Sequence, residues 1–163
     1  MMAFPTAGNL TRLVNVRAME GSFPFYGDFA TAPADAPARL RAGGDVIIIE
    51  ESLLLQFNVK VGDPVKLGTT TFTVIGVLQK LPGESSALMA TVAPRALLPW
   101  SALEATRLAE RTVLVRHRAM LKLPSGRTPE DVERELRQKF RGADGNEPRV
   151  KNSPEKSEST SPP

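Results

Sequence analysis

The sequence contains no cysteine and a single histidine, His117. The absence of cysteine excludes disulfides, thiolate nucleophiles and cysteine-based zinc sites, although it does not identify the compartment. No apolar run exceeds four residues, as at Val46–Ile49, whereas a membrane-spanning helix needs ~20. Residues 1–9 have neither a basic start nor a long apolar core, so we expect no signal peptide there.

Composition and charge describe an ordinary folded chain. The 163 residues include 21 Lys and Arg against 18 Asp and Glu, which gives a net charge of +3 at pH 7. Because acids are interleaved with the bases, there is no clustered basic patch, and we expect no nucleic-acid partner. The length allows one domain or two small ones. The 14 prolines and 12 glycines favour strands and short helices over a helical bundle.

Alternation and turn residues predict short strands and helices over the first half of the chain. A hairpin is predicted from the apolar start, through the turn residues "PTAGN", to a strand at residues 11–21. Four further features are predicted after it. They are a helix at residues 36–42 capped by Asp35, a buried strand at 46–49, a helix at 51–57 that ends at Asn58, and a pair of strands at 64–67 and 68–80. Residues 71–78 are apolar on both faces, which is typical of a strand in a small barrel or between two layers.

The second half of the chain predicts two helices and a long strand. "SALEATRLAE" (101–110) predicts a helix with Ser101 as its cap and Glu104 completing a capping box. "RTVLVRHRAMLKLP" (111–124) predicts the longest strand, with its odd-numbered residues in the core. Residues 129–141 predict a surface helix with one narrow apolar stripe, capped by Thr128. "EPRVK" (147–151) predicts a final strand, and residues 152–163 a disordered tail.

Catalytic and metal-binding patterns are sparse. A single histidine without cysteine partners is a poor zinc site, so we interpret His117 as a structural residue on the apolar face of its strand. A hydrolase site that uses His117 is an alternative, although no G-x-S-x-G sequence accompanies it. Glu50 and Glu51 are adjacent and therefore point apart; we expect them to mark a strand end and a helix N-terminus. No glycine cluster matches a phosphate-binding loop.

The aromatic residues are concentrated in "GSFPFYGDF" (21–29), which holds four of the nine aromatics in the chain. Glycine-flanked aromatics pack against the end of a sheet, or they are exposed anchors for a protein partner. Base stacking is a third alternative that no neighbouring basic strand supports. Trp100, after Pro99, has the same ambiguity. The candidate contact residues are therefore Phe23, Phe25, Tyr26, Phe29 and Trp100.

Three stretches of the sequence together resemble a known family. They are "RLVNVRAMEGSFPFYGDF", "VIIIEESLLLQFNVKVGDPVKLGTTTFTVIGVLQK" with its Gly62-Asp63 turn and Gly76, and "PRALLPWSALEAT". In this order and spacing they resemble the extracytoplasmic (periplasmic) domain of MacB/FtsX-type ABC-transporter permeases, and within these the YbbP-like group. The resemblance covers about residues 10–150.

The resemblance implies an α+β fold with two lobes. Residues 1–29 and 113–151 would form a porter-like α/β lobe, and residues 30–112 an inserted β-rich lobe. The aromatic segment would then lie at the crossover between the lobes. The resemblance also implies an upstream strand and helix, and transmembrane helices, that this sequence lacks, so we expect a piece of a longer protein or a truncated reading frame.

The function implied by the resemblance is mechanical. The domain would be non-catalytic, without a cofactor or metal. It would couple motion of a separate ATP-binding subunit to export of a lipid, lipoprotein, peptide or drug-like cargo. Its partners would be the transmembrane helices of its own permease, that ATP-binding subunit, and a periplasmic adaptor or cargo protein. It would face the periplasm or cell exterior from the bacterial inner membrane.

A free-standing small-barrel binding module for a protein or oligonucleotide is the alternative to the permease. Flanking hydrophobic segments of bilayer length in the gene would favour the permease.

Overall fold

The computed structural model describes residues 1–25, 27–82, 93–111 and 116–140. The chain divides into two compact units, Met1–Arg118 and Ala119–Pro163. In the described part of the first unit, nine strands form one sheet: β1 (Met2–Ala3), β2 (Thr6–Ala7), β3 (Leu10–Thr11), β4 (Val14–Met19), β5 (Ala30–Ala32), β6 (Val46–Glu50), β7 (Pro64–Leu67), β8 (Thr70–Lys80) and β9 (Arg95–Pro99). The described helices are α1 (Ala36–Ala42), α2 (Glu51–Phe57), α3 (Trp100–Leu103) and α4 (Leu108–Arg111), with α5 (Pro129–Lys139) in the second unit.

The first four strands form one long hairpin. Met2 pairs with Asn15, and Ala7 pairs with Leu10, in a single antiparallel register on either side of the Gly8-Asn9 turn. Pro5 interrupts the ladder, but its carbonyl still accepts a hydrogen bond from the Arg12 N–H at 3.4 Å. Residues 2–7 are therefore one arm of a hairpin and residues 10–19 the other, as the sequence predicts.

The hairpin closes the sheet on itself. Its first arm pairs with β7 through Thr6 and Lys66, whereas its second arm runs parallel to β9 from Asn15 to Met19. Strands β9, β6, β8 and β7 are neighbours in that order, so six strands form a closed ring: first arm, second arm, β9, β6, β8, β7 and the first arm again. A sheet that has closed in this way has lost most of its exposed edges.

The interior of this cylinder is filled with side chains. All six strands contribute apolar residues to one buried cluster, the inner core: Ala3, Ala7, Val14, Val16, Ile47, Ile49, Val65, Leu67, Phe72, Val74, Ala96 and Leu98. Leu53 and Phe57 from α2 and Leu103 from α3 join the inner core. Because they come from outside the strands, these side chains must enter through the open ends of the cylinder. A six-stranded cylinder is too narrow to hold anything besides side chains.

Helix α1 covers part of the outside of the cylinder. Ala36 and Leu40 from α1 meet outward-facing side chains of β6, β8 and β9 in a second buried cluster, the outer core: Ala36, Leu40, Ile48, Ile75, Leu78, Leu81 and Leu97. In β6, Ile47 and Ile49 therefore face inward while Ile48 faces outward. This two-sided burial explains the continuous apolar run that begins at Val46. Asp35 precedes α1 as predicted, although its carboxylate accepts no capping hydrogen bond.

The turn chemistry predicted between α2 and β8 is confirmed. Asn58 is left-handed, with φ 52°, and its N–H bonds the carbonyls of Leu54 and Leu55. Gly62, with φ 101°, donates its N–H to the Val74 carbonyl at 2.7 Å. The Asp63 carboxylate accepts from the Lys60 N–H at 3.0 Å. These bonds fix the start of the β7–β8 pair, and the α+β class is confirmed.

The predicted continuous helix over residues 101–110 is wrong. The helix begins at Trp100, so Ser101 is not its cap, and a 3₁₀ turn (Glu104–Thr106) separates α3 from α4. The Thr106 hydroxyl donates a hydrogen bond to the Leu103 carbonyl at 2.5 Å and accepts one from the Leu108 N–H at 3.2 Å. The Thr106 carbonyl accepts a hydrogen bond from the Thr69 N–H at 3.2 Å. Contact with the β7–β8 turn thus replaces the helical hydrogen bonds.

The predicted strand over residues 111–124 is wrong in its described part. Residues 116–124 are not in a strand, and residues 116–122 are exposed. An alternating pattern supplies the two faces of a strand but not the neighbouring strand that it needs, and no described strand forms a ladder with this segment. Residues 112–115, the predicted strand at 147–151 and the predicted tail at 152–163 lie outside the described residues.

In the second unit, helix α5 confirms the prediction for residues 129–141 to within two residues. The Thr128 hydroxyl caps it by accepting from the Asp131 N–H at 3.2 Å. Glu133 and Arg137 form an ion pair one turn apart at 2.7 Å. Val132 and Leu136 are half-buried and Phe140 is exposed, so this apolar stripe is not covered by described residues.

We expect Gly76→Ala to destabilise the first unit by about 1–3 kcal/mol, because the new Cβ would lie 2.6 Å from the Ala36 Cβ. Urea unfolding would measure the loss. In an Ala36→Gly background the obstructing carbon is absent, so the same substitution should cost much less. Equal costs in the two backgrounds would contradict the close contact between α1 and β8.

Candidate functional site

The aromatic segment leaves the sheet where β4 ends. Gly21, with φ 74°, turns the chain away from the strand. Phe23 and Phe29 are half-buried and pack against the outer core beside α1. Phe25 between them is 37% exposed, and Tyr26 lies outside the described residues. One short segment thus divides its aromatics between packing and solvent.

The depression between this segment and α1 is nearly filled. Its wall is formed by Met19, Glu20, Gly21, Phe23, Phe29, Pro37, Leu40 and Arg41, and its volume is about 10 Å³. That is about the smallest space that holds one water molecule. The Arg41 guanidinium donates to the Phe23 carbonyl at 3.4 Å across its rim. The depression is therefore a packing seam and has no room for a small-molecule ligand.

The far end of the segment is held by an exposed ion pair. Lys80 Nζ lies 2.6 Å from Asp28 Oδ2, and both side chains are mostly in solvent. The hydrogen bond from Lys80, together with its positive charge, holds the pKa of Asp28 below its usual value. An ion pair in water is worth little to stability, so the packed phenylalanines hold the segment more firmly than this bond.

Trp100 lies near the same end of the sheet. Strands β4 and β9 are parallel, and Met19 at the end of β4 pairs with Pro99 at the end of β9. The aromatic segment and Trp100 therefore both follow strands that end at the same end of the sheet. Trp100 is 41% exposed, and its ring meets the His117 ring edge to face, with centroids 5.9 Å apart. The predicted core position of His117 is wrong, because its side chain is exposed. The structure therefore places His117 against a surface tryptophan.

Glu50 forms a structural ion pair that the sequence analysis missed. As predicted, the adjacent carboxylates mark a strand end and a helix N-terminus, because β6 ends at Glu50 and α2 begins at Glu51. Glu50 is 7% exposed, and its Oε1 atom accepts from both Nε and Nη2 of Arg95, while its Oε2 atom accepts from the Arg95 backbone N–H at 3.0 Å. The pair fastens the end of β6 to the start of β9. Forty-five residues separate the two partners, and no local pattern marks so distant a contact.

A second recess lies beside α3 and α4. It is open and polar, with a volume of about 400 Å³, and is bordered by Ser101, Glu104, Ala105, Arg107 and Glu110. Its carboxylates have an arginine between them in the sequence and do not form a metal-ligand set. Within residues 1–25, 27–82, 93–111 and 116–140, no three histidine or carboxylate groups gather closely enough to hold a metal ion.

We expect Phe23→Ala to lower the free energy of unfolding by about 1–2 kcal/mol, because this ring packs on the outer core. The matched change Phe25→Ala removes the same atoms from a more exposed ring and should cost less than ~0.5 kcal/mol. Urea unfolding of both variants measures the difference. A larger loss for Phe25→Ala would reverse the assignment of packed and exposed rings.

We expect Arg95→Leu to destabilise the first unit by about 2–4 kcal/mol, because it leaves the Glu50 carboxylate buried without its charge partner. The double variant Glu50→Leu/Arg95→Leu should cost less than the sum of the two single changes. Chemical denaturation of all three proteins gives the coupling free energy. Strictly additive losses would show that the two side chains act independently.

Comparison with known proteins identifies the family. No helix in the described ranges has the length and apolar character needed to cross a membrane. The sequence is 29% identical over 76 residues to the uncharacterized ABC transporter permease YbbP of Escherichia coli strain K12, a match that covers 47% of this chain and 9% of that protein. The sequence model of the MacB-like periplasmic core domain matches residues 2–139. This chain belongs to the MacB-like periplasmic core domain family.

Proposed function

We propose that this chain is the extracytoplasmic domain of an ABC-transporter permease in a bacterial inner membrane. The observation that carries the proposal is the family match over residues 2–139. The relative from Escherichia coli, which is named as an ABC transporter permease, supports it. On this proposal the domain faces the periplasm or the cell exterior. Its partners are the transmembrane helices of its own polypeptide and a separate ATP-binding subunit.

The proposed role of the domain is to transmit motion, and ATP hydrolysis takes place in the other subunit. A filled cylinder with a second core on its outside supports this role, because close-packed interiors compress little and move as rigid bodies. The small volume beneath the aromatic segment offers no space in which a substrate would be enclosed. The cargo would be a lipid, lipoprotein, peptide or drug-like molecule handled by the whole permease.

The proposed contact surface for a periplasmic adaptor or cargo protein is the end of the sheet where β4 and β9 finish and the aromatic residues follow. Phe25 and Trp100 are exposed there, and exposed aromatics are enriched in protein interfaces. Phe23 and Phe29 support that end from the outer core. The two-lobe division at residues 29/30 and 112/113 stays a prediction; β4 and β9, from opposite sides of the first boundary, pair directly.

The coupling role predicts that the domain moves when ATP is bound or hydrolysed. Since the chain has no cysteine, Leu55→Cys, at a position 71% exposed in the native protein, gives a unique labelling site in this domain. We expect the distance between a spin label there and one on a membrane-embedded helix of the full-length permease to change between nucleotide-free and ATP-vanadate states. Pulsed electron paramagnetic resonance in proteoliposomes measures that distance.

The control for this measurement is the same labelled complex with an ATPase subunit that can neither bind nor hydrolyse ATP. Its label-to-label distance should be the same in the nucleotide-free and ATP-vanadate conditions. If the intact complex also keeps a single distance through the ATP cycle, the domain does not transmit motion. Membership in the family would be unaffected by that result.

A further inference from the structure

We draw no further inference here: the strongest candidate, the outward face of the hairpin arms, where Met2 and Phe4 are exposed, supports no proposal because nothing in the described residues shows what covers it.

Discussion

The closure of the sheet depends on a hairpin whose two arms pair with different neighbours. The first arm reaches β7 through Thr6, and the second reaches β9 through five consecutive residue pairs. If the arms separated from each other, each arm would become a free edge and the inner core would open along one side. The interruption at Pro5 is part of this arrangement, because a hairpin that bridges a curved gap must bend. In the rest of the cylinder β7 and β8 form a local hairpin, whereas the β6–β8 and β6–β9 pairs join strands that are not neighbours in the sequence.

The sequence predicts those elements whose signals are local. Helix α1, the strand after it, the Asn58 helix end, the Gly62-Asp63 turn and helix α5 all follow from neighbouring residues, and each is confirmed. The two-sided apolar character of β8 also anticipated its burial between an inner and an outer core. Local hydrogen bonding and side-chain period are sufficient in these cases, because the same few residues supply both the pattern and the structure.

The failures share a non-local cause. Thr106 breaks the predicted helix because the β7–β8 turn, more than 30 residues earlier, bonds its carbonyl. Residues 116–124 have the alternation of a strand, but no described strand pairs with them, and His117 lies against Trp100 at the surface. Glu50 ends β6 as predicted, but its ion pair with Arg95, 45 residues away, has no local signal. Gly76 is part of the family resemblance, but the reason for a glycine there, the approach of Ala36, is a tertiary contact.

The aromatic segment links this architecture to the proposed role. Phe23 and Phe29 lock their segment to the outer core, which is built on the same strands that enclose the inner core. A force applied at exposed Phe25 or Trp100 would therefore be transmitted to β4 and β9, and through the Glu50–Arg95 pair to β6. A packed body of this kind has little freedom to deform locally, so it responds to a load by moving as a whole.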